Sequence, residues 1–297
     1  MELRKSMYAS GKDLQLASVP RDKYSTKRIN GKIVIIGGSE RFHGAPALAS
    51  NAAYAVLAAL RIGVGYAVEY VPKSVITATR SVSPDIIVMP LYSNNLTSKD
   101  IPRLIKDLQK SQCLVLGPGL GKDDATSKAV IKLIDYIKKT DKRAVIDADA
   151  LYALGKYPRK LNMNFIITPN KEEFEFFYKG KIKDSDIKAR IDAAIRVSKN
   201  LNANILFKGH ESIVTDGKRV KIINSKSSAL AVMGTGDTLA GMVGGFVTKN
   251  SDLFIATVAG TYLHAIIGDN LYKEKGNHIL ASDVVDLIPK ILKKFDR

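Results

Sequence analysis

Short apolar runs alternate along the chain with longer stretches in which apolar residues recur every three to four positions. The runs Ile33–Ile36, Gly65–Val71, Asp85–Pro90, Cys113–Leu116, Arg143–Ile146, Phe165–Thr168 and Ile205–Lys208 have the length and β-branched content of buried strands. Pro46–Ile62, Ile101–Gln109, Ala125–Lys139, Lys171–Tyr178 and Asp186–Leu201 carry the helical period. In Ala125–Lys139, for example, Val130, Leu133, Ile134 and Ile137 share one face, while Lys128, Lys132 and Lys138 supply a wet one. Strands that alternate with helices predict an α/β protein: a three-layer α/β/α sandwich around a mostly parallel central sheet. No Pro/Ser-rich linker divides the chain, so residues 32–297 read as one domain behind an N-terminal extension, residues 1–31.

The last third changes rhythm. Ile205–Phe207, Ser212–Thr215 and Val220–Ile223 are short strands, and Asp216-Gly217 joins the second and third as a hairpin. Helices over Gly236–Thr248, Leu253–Ile267 and Ser282–Lys293 complete the pattern.

Composition narrows the function classes. The 297 residues include 46 Lys+Arg against 29 Asp+Glu, a formal net charge of +17 that favours anionic partners. The lysines are spread along the chain without a basic arm, zinc-finger spacing or aromatic RNA-binding signature, so nucleotides are the expected anions and nucleic acid is not. One cysteine, Cys113, excludes an internal disulfide framework and points to a reducing, cytoplasmic setting. The most apolar stretch, Ala45–Val71, is broken by Arg61 and Glu69 and cannot span a membrane, and no signal-peptide core precedes it. Cys113 reads as a buried strand residue, and His264 as a structural residue within an apolar helix.

The candidate chemistry gathers where strands end. Gly234-Thr235-Gly236-Asp237 opens a helix, so its amides and the positive end of the helix dipole favour an anion there. Asp237 then reads either as a helix-start acid or as a base that takes a proton from a hydroxyl attacking a bound phosphate. The glycine pair favours the second reading, because a simple cap has no need of close backbone approach. Asn170 and Glu173, three apart at a helix start, read equally as a capping box or as Mg²⁺ contacts, direct or through water. Gly117-Pro118-Gly119-Leu120-Gly121, Asp147-Ala148-Asp149-Ala150 and Lys208-Gly209-His210-Glu211-Ser212 end strands on the same expected edge, where open α/β sheets bind ligands. Gly37-Gly38-Ser39 with Gly44-Ala45-Pro46 follows the first strand and is a further candidate substrate contact.

In this order and spacing, from about Pro20 to the final helices, the motifs resemble the ribokinase-like superfamily and, within it, the nucleotide-dependent NAD(P)HX dehydratases. The resemblance implies a repair reaction. NADH or NADPH hydrated on the nicotinamide ring (NADHX or NADPHX) is phosphorylated at the new hydroxyl by ADP or ATP, and phosphate then leaves to regenerate the dihydronicotinamide. Asp237 matches the family's acid beside the reacting hydroxyl, and Gly234, Thr235 and Gly236 its anion hole. By the same carry-over Ala45, Gly119 and Asn170 contact the hydrate along with Asp237, while Lys208, Gly209, His210, Glu211, Ser212 and Gly236 contact the nucleotide. The Gly-Thr-Gly-Asp form resembles the ADP-using prokaryotic members, whereas Asn170 and His210-Glu211 depart from the common bacterial pattern. Mg²⁺ is the cofactor that the Asn170–Glu173 pair would hold, and the resemblance implies a homo-oligomer of four or more subunits and epimerisation by a separate protein. A ribokinase-like kinase acting on a vitamin precursor or sugar is the alternative, since it uses the same acid.

Overall fold

The computed structural model describes residues 7–18, 20–39, 46–183 and 185–295, without the side chains of residues 46–51. Nine strands form one sheet: β1 (Lys32–Ile36), β2 (Tyr66–Val71), β3 (Ile87–Pro90), β4 (Cys113–Leu116), β5 (Arg143–Ile146), β6 (Phe165–Ile167), β7 (Asn204–Phe207), β8 (Glu211–Thr215) and β9 (Val220–Asn224). Their order is β3-β2-β1-β4-β5-β6-β7-β8-β9. Pairing is parallel through β7 and antiparallel for β8 and β9, the hairpin expected at Asp216-Gly217.

Alternation along each strand decides which layer each side chain joins. Ile33, Ile35, Val115, Val145, Ile166 and Leu206 point into one core. That core is covered by α2 (Pro46–Ile62), α9 (Thr235–Lys249), α10 (Leu253–Lys275) and α11 (Ala281–Leu292). Val34, Ile36, Leu114, Leu116, Ile146 and Phe207 point into the other. There the cover is α4 (Ile101–Leu108), α5 (Asp124–Lys138), α6 (Asp149–Lys156), α7 (Lys171–Tyr178) and α8 (Ile187–Leu201). With both faces covered, the central strands carry no polar side, which is why they read as continuous apolar runs.

Close packing fixes α9 against α2. A Cβ on Gly241 would lie 2.1 Å from the Ala55 carbonyl oxygen, and one on Gly244 2.6 Å from Val115 Cγ2. Ala52, Ala55, Ala58 and Ala59 of α2 are fully buried, so small residues on both helices let the backbones approach. The N-terminus of α9, which carries Asp237, is thereby held rigidly over the sheet.

Three elements differ from the sequence expectations. Residues 73–80, between β2 and β3, form a short 3₁₀ turn and the helix α3 (Ile76–Arg80), and α6 follows Asp147-Ala148 where only a turn was expected. The helix expected to stop at Ile267 continues to Lys275. Gly268-Asp269-Asn270 resembles a stop signal, but a Cβ on Gly268 would sit 2.4 Å from Leu230 Cδ1, and Leu271 is buried, so packing carries the helix through. Before the sheet, α1 (Gly11–Ala17) buries Leu14, and Ala9 N donates to Ile222 O at 2.8 Å. This segment covers the exposed edge of β9, a common protection for an edge strand.

Candidate active site

The carboxyl ends of β1, β4, β5, β6 and β7 deliver their loops to one edge, and glycines make the crowding possible. Gly117 holds φ +141, and a Cβ there would lie 1.7 Å from the Asp147 carbonyl oxygen. Gly38 N donates to Pro118 O at 2.8 Å, and Gly121 N to Asp149 Oδ2 at 2.8 Å, so the β1, β4 and β5 loops are tied together. Ala148, φ +47, is one of the described non-glycine residues held at positive φ. Ser39, three residues past β1, is buried with no partner for its hydroxyl among the described residues.

A buried polar chain crosses this edge. Thr168 Oγ1 donates to Asp147 Oδ1 at 2.6 Å, and Lys208 Nζ donates to the same oxygen at 2.8 Å. Asp147 is 2% exposed, so its charge is taken out of water and needs both partners. Lys208 N donates to Pro169 O at 2.8 Å, which sets the lysine at the end of β7 beside the Thr168-Pro169-Asn170 turn. Burial works against the Lys208 charge, but Asp147 and Glu173 more than offset it and hold its pKa above the usual lysine range. The Lys208 ammonium reaches Gly236 on the far side, 4.0 Å from where a Cβ would stand.

Gly234, φ +89, is the N-cap of α9 and turns the chain into the helix. Thr235 Oγ1 closes the turn by donating to Leu230 O at 2.6 Å, with Val232 O at 2.8 Å. The first amides of the helix have no intrahelical acceptor, which leaves them to an external anion. Asp237 is partly exposed at this point. Burial, and then the Asp147 charge, raise its pKa to about 7, while Lys208 and its own backbone amide pull the other way. A carboxylate poised near neutrality beside an ammonium and a row of free amides suits proton abstraction at a phosphoryl acceptor. Behind the turn, burial lowers the pKa of His264 to about 4 against a hydrogen bond with the Thr235 backbone, so it supports the loop as a neutral ring.

Asn170 and Glu173 form the reciprocal capping box: Asn170 Oδ1 accepts from Glu173 N at 2.9 Å, and Glu173 Oε2 from Asn170 N at 2.8 Å. Burial raises the Glu173 pKa, with Lys208 and the Asn170 amide opposing. Of the expected nucleotide contacts, Lys208 joins the Asp147 cluster. Gly209, His210, Glu211 and Ser212 make the turn into β8, which Ser212 Oγ closes on Gly209 O at 3.1 Å. The Glu211 carboxylate accepts from Tyr8 OH at 3.0 Å and is thus engaged by the N-terminal segment. Gly119 lies on the β4 loop with φ +63, while Ala45 lies outside the described residues. Asp147, which the sequence places in a strand-end motif without a role of its own, and Thr168 are the polar residues whose part in this polar chain only the structure reveals. Cys113 is buried, its pKa pushed up to about 12 by burial, as fits a core thiol.

A family model described as NAD(P)H-hydrate dehydratase matches residues 33–290. The chain belongs to the NAD(P)H-hydrate dehydratase family. It is 31% identical over 278 residues to the ADP-dependent (S)-NAD(P)H-hydrate dehydratase of Nitrosopumilus maritimus, covering 93% of each protein. It is 34% identical over 284 residues to the bifunctional NAD(P)H-hydrate repair enzyme of Pyrobaculum aerophilum, covering 95% of this chain and 54% of that one. The chain therefore spans about half the length of that bifunctional relative. Among solved structures it is similar to the ADP/ATP-dependent NAD(P)H-hydrate dehydratase of Bacillus subtilis crystallised with ATP and Mg²⁺. The TM-score is 0.78 at 25% identity, covering 97% of this chain and 98% of that one. The dehydratase family thus shares the ribokinase-like fold class expected from the sequence. No helix among the described residues is long and apolar enough to cross a membrane.

Proposed function

We propose that this protein is an ADP-dependent NAD(P)H-hydrate dehydratase, able in principle to use ATP. The observation that carries the reading is Asp237, partly exposed with its pKa near 7, at the first turn of α9 beside Lys208. In the reaction, Asp237 takes the proton as the hydrate's hydroxyl oxygen attacks the terminal phosphorus of the nucleotide. The phosphoanhydride bond breaks, AMP leaves from ADP or ADP from ATP, and the hydroxyl becomes a phosphate ester. The ring nitrogen's lone pair then expels phosphate, a ring proton is lost, and the dihydronicotinamide returns. Phosphorylation matters because hydroxide is a poor leaving group and phosphate a good one. The amides of Thr235 and Gly236 and the Lys208 ammonium oppose the charge that builds on the transferring group. In this reading Gly119 and Asn170 contact the hydrate, and Gly209 to Ser212 the nucleotide.

Mg²⁺ is the expected companion of the nucleotide. Among the described residues no group of three or more His, Cys, Asp or Glu is arranged to hold a metal ion. The donors present fit the looser mode in which Mg²⁺ keeps its waters and rests mainly on substrate phosphates. Glu173 spends Oε2 on the cap and has Oε1 for such a contact, whereas Asn170 Oδ1 is already engaged. Bound there, Mg²⁺ would neutralise phosphate charge. A cytoplasmic homo-oligomer is the setting that goes with this reading. A vitamin or sugar kinase of the same fold has less support, because the matching family model and the full-length relative carry the dehydratase name.

The test is to incubate the protein with NADHX or NADPHX and either ADP or ATP and follow the return of dihydronicotinamide absorbance. Recovery that is faster with ADP is expected. No recovery with either nucleotide overturns the proposal.

A further inference from the structure

Beneath the turn that follows β7 lies a buried guanidinium, on an element that no site motif touches. Arg190, near the start of α8, is 3% exposed. Its Cζ stands 4.7 Å from the centroid of the Phe207 ring. Phe207 in turn stacks on Phe174, with centroids 4.0 Å apart and planes 9° from parallel, and both rings are fully buried. Phe174 stacks on Tyr178 at 6.1 Å, and Arg196, also on α8, covers Tyr178 with its Cζ at 5.2 Å. The stack leaves α8 at Arg190, passes through β7 and α7, and returns to α8 at Arg196. Stacked rings, and cations over ring faces, attract one another, more strongly out of water.

The stack fixes Arg190 against one particular backbone position. A Cβ on Gly209 would lie 2.6 Å from Arg190 Nη2 and 3.4 Å from its Cζ. Gly209 is not among the glycines held at positive φ, so its backbone could carry a side chain. What forbids one is the guanidinium, which fills the place that a methyl group would take. The ordinary account of Arg190 is core packing, but an apolar side chain would fill the same space without taking a charge out of water. The contact also falls on a residue of the candidate site. Gly209 O accepts from Ser212 Oγ at 3.1 Å, and Lys208 N donates to Pro169 O at 2.8 Å, so Gly209 joins the closed turn to the end of β7. Phe174, the next ring, belongs to the helix that Asn170 and Glu173 cap.

We propose that Arg190 is a positioning residue for nucleotide binding: seated on Phe207, its flat guanidinium sets the height of the Lys208–Ser212 turn from below. The proposal rests on the reading of that turn as the nucleotide's contact. Arg190 acts on the nucleotide through Gly209, because the guanidinium itself is covered. Gly209 and Arg190 are thus a matched pair, each of the size that the other allows.

The experiment is calorimetric titration of the full chain with ADP and Mg²⁺, in wild type, Arg190→Lys, Gly209→Ala and the double variant. Arg190→Lys keeps the charge but loses the flat group that rests on Phe207 and borders Gly209. Gly209 is exposed, so the methyl group of Gly209→Ala meets the guanidinium without entering the core. Each single variant is expected to weaken ADP binding about tenfold, a coupling of ordinary size for residues in contact. The double variant should match Arg190→Lys within about twofold, because the methyl group then meets a slimmer side chain that can move aside. Arg196→Met removes the exposed far end of the stack and keeps wild-type binding. Thermal unfolding identifies a variant that is merely unstable, and every titration is run well below the lowest midpoint. Effects that multiply to about a hundredfold in the double variant mean that Gly209→Ala blocks the nucleotide directly, and they overturn the proposal. So does wild-type affinity in either single variant, a comparable loss in Arg196→Met, or a wild type that does not bind ADP. NADHX is absent from these titrations, so ADP binding governed by Arg190 can hold while the dehydratase assay fails. Turnover with a nucleotide site indifferent to Arg190 leaves the dehydratase reading intact.

Discussion

At the scale of single residues, the proposed reaction turns on Asp237. Its Asn variant keeps the shape but loses the proton acceptor, and turnover is expected to fall about 10²–10⁴-fold in the NADHX assay. The base works only when ionised, so kcat/KM should rise with pH through an inflection near the value of about 7 held by Asp237. Lys208 pulls that value down and Asp147 pushes it up. Lys208→Met should therefore move the inflection to higher pH and Asp147→Asn to lower pH, opposite shifts that simple loss of structure does not produce. Asn170 has a clear structural duty as a cap. Asn170→Ala should cost about 1 kcal/mol, read as a lower denaturation midpoint.

At the scale of elements, the site depends on backbones that approach too closely for side chains. Gly241→Ala would force a methyl group to within 2.1 Å of the Ala55 carbonyl oxygen. It should destabilise the protein by about 3 kcal/mol, since overpacking displaces α9 from α2. Because α9 carries Asp237 on its first turn, residual activity should fall along with the melting temperature. The glycines of the β4 loop are a parallel case, where Gly117 leaves room for the Asp147 backbone. In the sequence these positions look like ordinary turn glycines and small helix residues. Their necessity comes from what lies across from them.

At the scale of the whole molecule, Glu69 governs part of the pH response. It is fully buried on β2, and neither carboxylate oxygen has a hydrogen-bond partner among the described residues. Burial raises its pKa well above the ordinary value, so the folded protein holds a proton that the unfolded chain has lost. Stability is then complete below the unfolded pKa and falls as pH rises toward the folded one, by about 1.4 kcal/mol per pH unit at most. Asp237, also raised, adds a slope of the same sign. Glu69→Gln should match wild type in acid, be more stable at neutral pH and show a flatter stability profile by chemical denaturation. Equal pH slopes in the two proteins would exclude this role for Glu69.

Much of the architecture was legible in one dimension because strand and helix periods are local. β4 and β5 run over the residues anticipated for them, and α2 and α7 likewise. The run Gly234-Thr235-Gly236-Asp237 marked a candidate anion site, since its amides and its acid are neighbours in the chain. The sequence by itself determined the layers, the sheet edge where loops collect, and the acid that stands there. Tertiary structure alone decided the acid's strength, because Asp147 and Lys208 come from other strands and electrostatic coupling depends on distance in space. It also decided that Asn170 and Glu173 cap each other and that α10 runs past Gly268 to Lys275. Local pattern specifies which elements form, but the energies of burial and charge belong to neighbours that only folding brings together.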